Sequence, residues 1–350
     1  MISELGVYLV SALGCYYSLA VRAISAYRGR LFCVLSVIGL GLVAALRGGV
    51  GTDTASYEAM VAILCNPSDW YGVEPGFAML VWMLGWFTES DVVLVRLIAV
   101  VFVAGLLLFI RRADRDETFF LLAFFLPAVF FQYSMNALRV GLGVIFLLLS
   151  MQHLRRNELT RALLLLVAGW LFHYSLIMSM VYLLVSARLL SVRVFSAFVV
   201  AGLLFISVVV LQFGDYLLTK VVLYGDYEPP SGLSGLSSLV ILAVLLVGAT
   251  VSSISHRSRI VFALASAASI GAAFALARFS YAGLRVLDLL VTGLPVSLMM
   301  LHGREAVPLN WKSKGSLVLA GLVGLGTTLF RFVTTPGDGS TPWVPYEWIF

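Results

Sequence analysis

Apolar runs, each about as long as a membrane core is thick, follow one another through most of this 350-residue chain. A stretch of about 20 apolar residues, rising 1.5 Å each as a helix, crosses a hydrocarbon core of about 30 Å. Backbone placed in lipid must satisfy its own hydrogen bonds, which leaves helices and closed barrels as the only spanning structures. Barrel strands would show segments of about ten residues with alternating polarity. The runs here are longer and unbroken in Leu, Val, Ala and Phe. The chain therefore reads as an all-α, polytopic membrane protein. Charge agrees: Asp, Glu, Lys and Arg make up 12% of the residues, about half the share in a soluble domain, and the mean hydropathy is +1.01. No basic stretch precedes the first run, with Arg22 coming after it, so the first helix is expected to be retained rather than cleaved.

The pattern predicts about 12 transmembrane helices, at 5–21, 31–46, 92–110, 118–134, 137–151, 162–172, 174–187, 194–211, 239–254, 260–277, 286–301 and 315–332. The short loops RAISAYRGR, RRADRDE, QHLRRNELTR, RLLSVR, SHRSR and HGREAVPLNWKSK hold 16 of the 23 Lys and Arg, the bias expected of cytoplasmic loops. Two segments strain this assignment. GFAMLVWMLGWFTESD, 76–91, is apolar, but counting it as a span inverts every later loop, so it reads as a re-entrant or interfacial helix at 76–88 on the outer side. LLLLVAGWLFHYSLIMSMVYLLVSA, 163–187, keeps the basic bias only as two short helices meeting near Gly169 and His173. Residues 1–350 then form a single transmembrane domain with outer loops 47–91 and 212–238 and an outer tail 333–350.

Seven basic residues remain on the outer side: Arg47, Arg96, Arg139, Lys220, Arg278, Arg285 and Arg331. A cation near a membrane is costly and usually faces the bundle interior with a partner. Arginine in place of lysine suits bidentate recognition of phosphate or carboxylate. Two readings compete: an anion site in an outward-opening cavity, or snorkelling and local pairing such as Arg47 with Asp53 and Arg285 with Asp288. Arg278 and Arg285 share a face if their helix continues, with Tyr281 nearly a turn from each. Arg139 sits at a tight turn with Asn136 one turn before it.

His173 interrupts an apolar run, where a buried imidazole needs partners, either as a bridge between helices or in a site. His153, His256 and His302 read as solvated loop residues. Asp53 in GTDT and Glu74 in VEPGF stand beside glycines that permit close approach. The 3 cysteines form no CxxC, and the outer side carries no HxH, HExxH or DxD, so no metal is expected. Walker A and GxSxG motifs are also absent from the sequence, which leaves nucleotide chemistry unsupported and predicts neither cofactor nor nucleic acid partner.

Three blocks, taken in order, resemble one family. RGGVGTDTASYEAM followed by EPGFAML, then FQYSMNALRVGLGVIFLLLS with GWLFHYSLIMSMVYLLV, and a tail containing PYEWIF are similar to the EpsG family of Wzy-type polysaccharide polymerases. The resemblance implies a bacterial inner-membrane glycosyltransferase of GT-C-like architecture, with its active site facing the periplasm or cell exterior. Such an enzyme transfers a growing glycan from undecaprenyl pyrophosphate to the next lipid-linked oligosaccharide repeat unit. Membrane lipids and a chain-length regulator are the further expected partners. On this reading Arg139, Arg278 and Arg285, supported by Arg47, bind pyrophosphate. Asp53, His173 or Glu74 serves as base, and Tyr57, Asn136, Tyr281 and Arg331 are candidate sugar or substrate contacts. The loop aromatics Trp70, Tyr71, Tyr224, Tyr227, Trp343, Tyr346 and Trp348 suit sugar stacking and interfacial anchoring equally. The extra glycines of RGGVG and the loop 212–238 depart from the family pattern and leave the repeat unit open. The alternatives are a transporter or flippase of an anionic lipid-linked glycan, or an O-antigen ligase.

Overall fold

A computed structural model describes residues 5–70, 72–189, 234–278, 281–334 and 342–349. Among these residues the regular structure is helical, and the only β-pairing is a single antiparallel bridge between Arg47 and Trp348. The helices are α1 (Gly6–Ile24), α2 (Ala26–Ala45), α3 (Thr54–Leu64), α4 (Pro75–Gly85), α5 (Asp91–Arg112), α6 (Arg115–Asn136), α7 (Leu138–Arg155), α8 (Leu159–Phe172), α9 (Tyr174–Ser186), α10 (Leu236–Thr250), α11 (His256–Ala277), α12 (Tyr281–Arg304) and α13 (Trp311–Thr334). Seven of them, α1, α5, α6, α7, α11, α12 and α13, are long and apolar enough to cross a membrane. This is a polytopic helical membrane protein.

The innermost rod is α6, 89% buried along its most apolar stretch, whereas α1 and α11, at 22%, lie on the periphery. Pro127 within α6 lacks the N–H that would bond the Ala123 carbonyl. That carbonyl instead accepts a 3.4 Å hydrogen bond from the Tyr16 hydroxyl of α1. α6 carries π-helical turns at Leu121–Phe125 and Gln132–Asn136, the second of which ends the rod. Ala137, at ψ 61°, then breaks the helix and starts α7 in the opposite direction.

Side-chain contacts sort the helix ends to two ends of the bundle. At one, Arg155 meets Asp114 at 2.7 Å and Glu117 at 2.5 Å, Arg188 meets Glu305 at 3.2 Å, and Arg22 donates to the Arg115 carbonyl at 3.2 Å. At the other, Tyr8 donates to the Trp343 carbonyl at 2.9 Å, Arg139 pairs with Glu74, and Ser238 donates to Asp288 at 2.8 Å. The described basic loops all fall at the first end. α8 rises from it to His173, which contacts Glu74 at the second end, and α9 returns to Arg188. The segment 163–187 is thus a helical hairpin with His173 at its tip.

Four described helices that coincide with predicted spans, α2 (apolar over Gly29–Ala45), α8, α9 and α10, fall short of the length and composition of a crossing helix. The α4 helix covers Pro75–Gly85, eleven residues or about 16 Å, about half a membrane core, and ends three residues before the expected limit of 76–88. The expected span 194–211, Lys220 and most of the loop 212–238 lie outside the described residues. The shared helix face expected for Arg278 and Arg285 is corrected. α11 ends at Ala277 and α12 begins at Tyr281, so Arg278 and Arg285 do not share a helix face. Two histidines read as solvated are buried: His153 contacts Arg112 at 3.1 Å and Glu158 at 2.8 Å, and His302 Nδ1 donates to the Val307 carbonyl at 3.0 Å.

Candidate functional site

The loop RGGVGTDT is held from three sides. Arg96 of α5 donates to the Arg47 carbonyl at 3.0 Å and the Gly48 carbonyl at 2.6 Å, and pairs with Glu58 at 2.8 Å. The tail 342–349 lies along the loop: Gly48 N–H donates to the Glu347 carbonyl at 2.7 Å, Ile349 N–H to Leu46 at 2.9 Å, and Gly51 N–H to Pro342 at 3.1 Å. A Cβ at Gly48 would stand 3.1 Å from the Trp348 carbonyl, and Gly51 has φ +106°, which explains glycine at both positions. From the third side, Asn136 Oδ1 accepts from Thr52 Oγ1 and from the Asp53 N–H, each at 2.8 Å. The π-turn ending α6 therefore aims Asn136 at the loop and fixes Asp53 at the start of α3.

Next to this loop three side chains from separate stretches converge. Glu74 Oε2 meets Arg139 Nη1 at 2.6 Å and Glu74 Oε1 meets His173 Nδ1 at 3.0 Å. Close backbone approach makes this possible: a Cβ at Gly76 would lie 2.9 Å from the Leu171 carbonyl, two residues before His173. Burial raises the Glu74 pKa, but the hydrogen bonds from His173, from its own backbone and from Arg139 outweigh it and hold the carboxyl at about 2. An ionised carboxylate only accepts hydrogen bonds. His173 Nδ1 therefore donates to Glu74, so that in the neutral ring Nε2 is the acceptor, and Nε2 has no hydrogen bond among the described residues. Asp53 lies close enough to Arg285 and Arg139 for both to pull its pKa down, though burial wins and pushes it above the ordinary carboxylate value. The Tyr57 hydroxyl also lies against Arg139, its ring buried edge-on to Phe77 at 6.0 Å.

A cavity of about 220 Å³ adjoins this group across Asn136 and Thr52. Its polar lining includes Gln132, Asp288, Thr327 and Arg331, with Trp343 as one wall. Arg331 donates to Ser237 Oγ at 2.8 Å, and Trp343 stacks on Phe332 at 3.9 Å. Asp288 was not a candidate on the sequence, although a carboxylate inside the apolar run VLDLLV is by itself a sign of function. It accepts from the Ser238 hydroxyl at 2.8 Å and lies near Arg331, while Arg285 is near enough to Asp53 to act on its charge.

The structure brings Glu74, Arg139 and His173 into contact, with Asp53 and the exposed Arg285 near enough to interact electrostatically, Tyr57 and Asn136 beside them and Arg331 in the adjoining cavity. It does not bring Arg47 or Arg278 to the group. Arg47 is fully buried, donating to the Ser134 carbonyl at 3.0 Å, with Nε and Nη2 unbonded. Burial lowers its pKa to about 9, which leaves it charged at neutral pH. Arg278 ends α11 with its guanidinium 4.1 Å over the Phe274 ring. Tyr281 is exposed at the start of α12. Tyr71, Tyr224 and Tyr227 lie outside the described residues.

The sequence model of one family, described as the EpsG family, matches residues 30–348. No curated protein and no solved structure matches the chain.

Proposed function

The chain belongs to the EpsG family of polysaccharide polymerase-like membrane proteins, and from that premise we propose that it joins lipid-linked oligosaccharide repeat units at the outer face of a bacterial inner membrane. The observation that carries this reading is the convergence of two arginines, a carboxylate–histidine pair and a second carboxylate at one end of the bundle. The architecture is read as GT-C-like, with this end facing the periplasm or cell exterior and the basic loops in the cytoplasm.

In the proposed reaction a hydroxyl oxygen of the incoming unit attacks the anomeric carbon of the growing glycan. The bond from that carbon to the phosphate oxygen breaks, and undecaprenyl pyrophosphate leaves with the electron pair. His173 Nε2 takes the hydroxyl proton; Glu74 holds the ring in the tautomer that allows it. Arg285 and the remaining donors of Arg139, whose Nε is buried without a partner, stabilise the charge growing on the pyrophosphate. Asp53, near enough to both arginines to act on their charge, is the group assigned to orient them. The polar cavity beside Asn136 accommodates sugar hydroxyls.

The test is polymerisation of lipid-linked oligosaccharide in proteoliposomes, read as a glycan ladder. Arg139→Ala, Arg285→Ala and His173→Ala should each slow chain growth by about 10²-fold or more. Full-length ladders from all three variants would overturn the site. Units translocated without lengthening would favour a flippase, and transfer onto a lipid A core would favour a ligase.

A further inference from the structure

At the end of the bundle opposite the site, three cations from three helices surround one hollow. Arg22 comes from the last turn of α1, Arg115 from the first turn of α6 and Lys314 from the first turn of α13. The hollow has a volume of about 370 Å³ and an apolar wall of Tyr16, Leu19 and Phe119. We propose that it binds the headgroup phosphate of an anionic phospholipid, with the start of an acyl chain along that wall.

The charge balance points to an anion. Two carboxylates lie nearby, and both are engaged elsewhere or in part. Asp114 pairs with Arg155 at 2.7 Å and accepts the Glu117 N–H at 2.8 Å. Asp116 accepts the Leu309 N–H at 2.8 Å and meets Lys314 at 3.3 Å. Among the described residues Arg22 Nη2 donates to the carbonyls of Asp114 and Arg115, at 3.5 and 3.2 Å, and forms no ion pair, the Asp114 and Asp116 carboxylates acting on it from nearby. Arg115 makes no ion pair among the described residues. Arg22 and Arg115 thus bring two guanidiniums to one hollow with no ion pair on either among the described residues, Asp114 and Asp116 acting on Arg22 only from nearby, an arrangement suited to bidentate phosphate binding.

The surroundings identify a lipid rather than a soluble anion. α1 and α13 are among the least buried helices, at 22% and 33%, so their flanks face the bilayer. Trp311, 78% exposed and one turn before Lys314, marks the headgroup level at which indoles collect. A free phosphate would gain nothing from Leu19 and Phe119. Topology bias alone puts cations at this end of the chain, but it does not draw three of them from three helices around one apolar-walled hollow. Basic pockets between transmembrane helices hold anionic headgroups elsewhere by the same chemistry.

Native mass spectrometry of the purified full chain, titrated with phosphatidylglycerol or phosphatidylcholine, tests this. Wild type should retain phosphatidylglycerol in preference to phosphatidylcholine. At about fivefold per cation removed, Arg22→Gln with Arg115→Gln should weaken phosphatidylglycerol by roughly 25-fold. A control with the exposed Arg111→Gln and Arg156→Gln should bind as wild type. Equal loss in the control, or no loss in the double variant, overturns the proposal. So does inorganic phosphate displacing the lipid at equal concentration. Should the double variant fail to fold, Arg115→Gln alone, at an exposed unpaired residue, carries the test with a fivefold loss expected.

Discussion

At residue scale, Glu74 and Asp53 respond to pH in opposite directions. Glu74 has a depressed pKa, so its ion pairs stabilise the fold above the ordinary carboxylate value, and that stability is lost only as pH falls toward about 2. Loss of activity at mildly acid pH therefore comes from another group. Asp53 has a raised pKa, so protonation favours the folded state at low pH, and the benefit disappears as pH rises through its folded value. At neutral pH its charge therefore works against the fold. Asp53→Asn is expected to melt at or above wild type at pH 7 in detergent while losing polymerisation; a lower melting point would show that the carboxylate supports the fold. Glu74→Gln keeps an acceptor for one partner only, and should lower kcat by about 10- to 100-fold, as loss of an orienting partner does, with less effect on KM. Arg47→Met removes one hydrogen bond and a buried charge, a roughly neutral exchange in other proteins. Because Arg47 lies away from the site, the variant should still give long glycan ladders, and a collapse to single units would return Arg47 to the reaction.

At element scale, the two outermost pieces of the described chain hold the site together. The tail 342–349 pairs with the RGGVG loop, and its Tyr346 donates to the Val43 carbonyl at 2.6 Å, so loop and tail form one unit over the ends of α1 and α2. The α6 rod is crossed by α13 at Gly321, where an added Cβ would collide with the Ala123 carbonyl. Since backbone must move to admit it, Gly321→Ala should cost about 1–3 kcal/mol, seen as a lower melting temperature in detergent. An unchanged melting point would mean that the crossing is looser than described.

At the scale of the whole molecule, every reversal of the chain that can be followed carries the site residues to one end and the basic loops to the other. The hairpin at His173 is the step most open to test. In a Cys65→Ser background, which leaves only the buried Cys15 and Cys33, cysteines introduced at Tyr174 and Arg188 should label from opposite faces of the membrane. Labelling of both from one face would remove the hairpin and reverse every later loop.

The sequence by itself determined the class: run length and low charge admit only a helical membrane protein, and the imbalance of basic residues required the break at His173, because both are properties of residues along the chain. It also marked Asp53, Glu74, Arg139, His173 and Arg285 as out of place in an apolar chain. Only the tertiary structure decided which of them meet. Arg47 and Arg139 look alike as arginines at span ends, yet one is sealed behind the tail and the other opens toward Glu74, a difference made by a segment 300 residues away. The same holds for Asp288, whose partners Ser238 and Arg331 come from other helices, and for the Arg22, Arg115 and Lys314 hollow. Spacing along a chain fixes what each helix can bury, but a site between helices depends on how they cross.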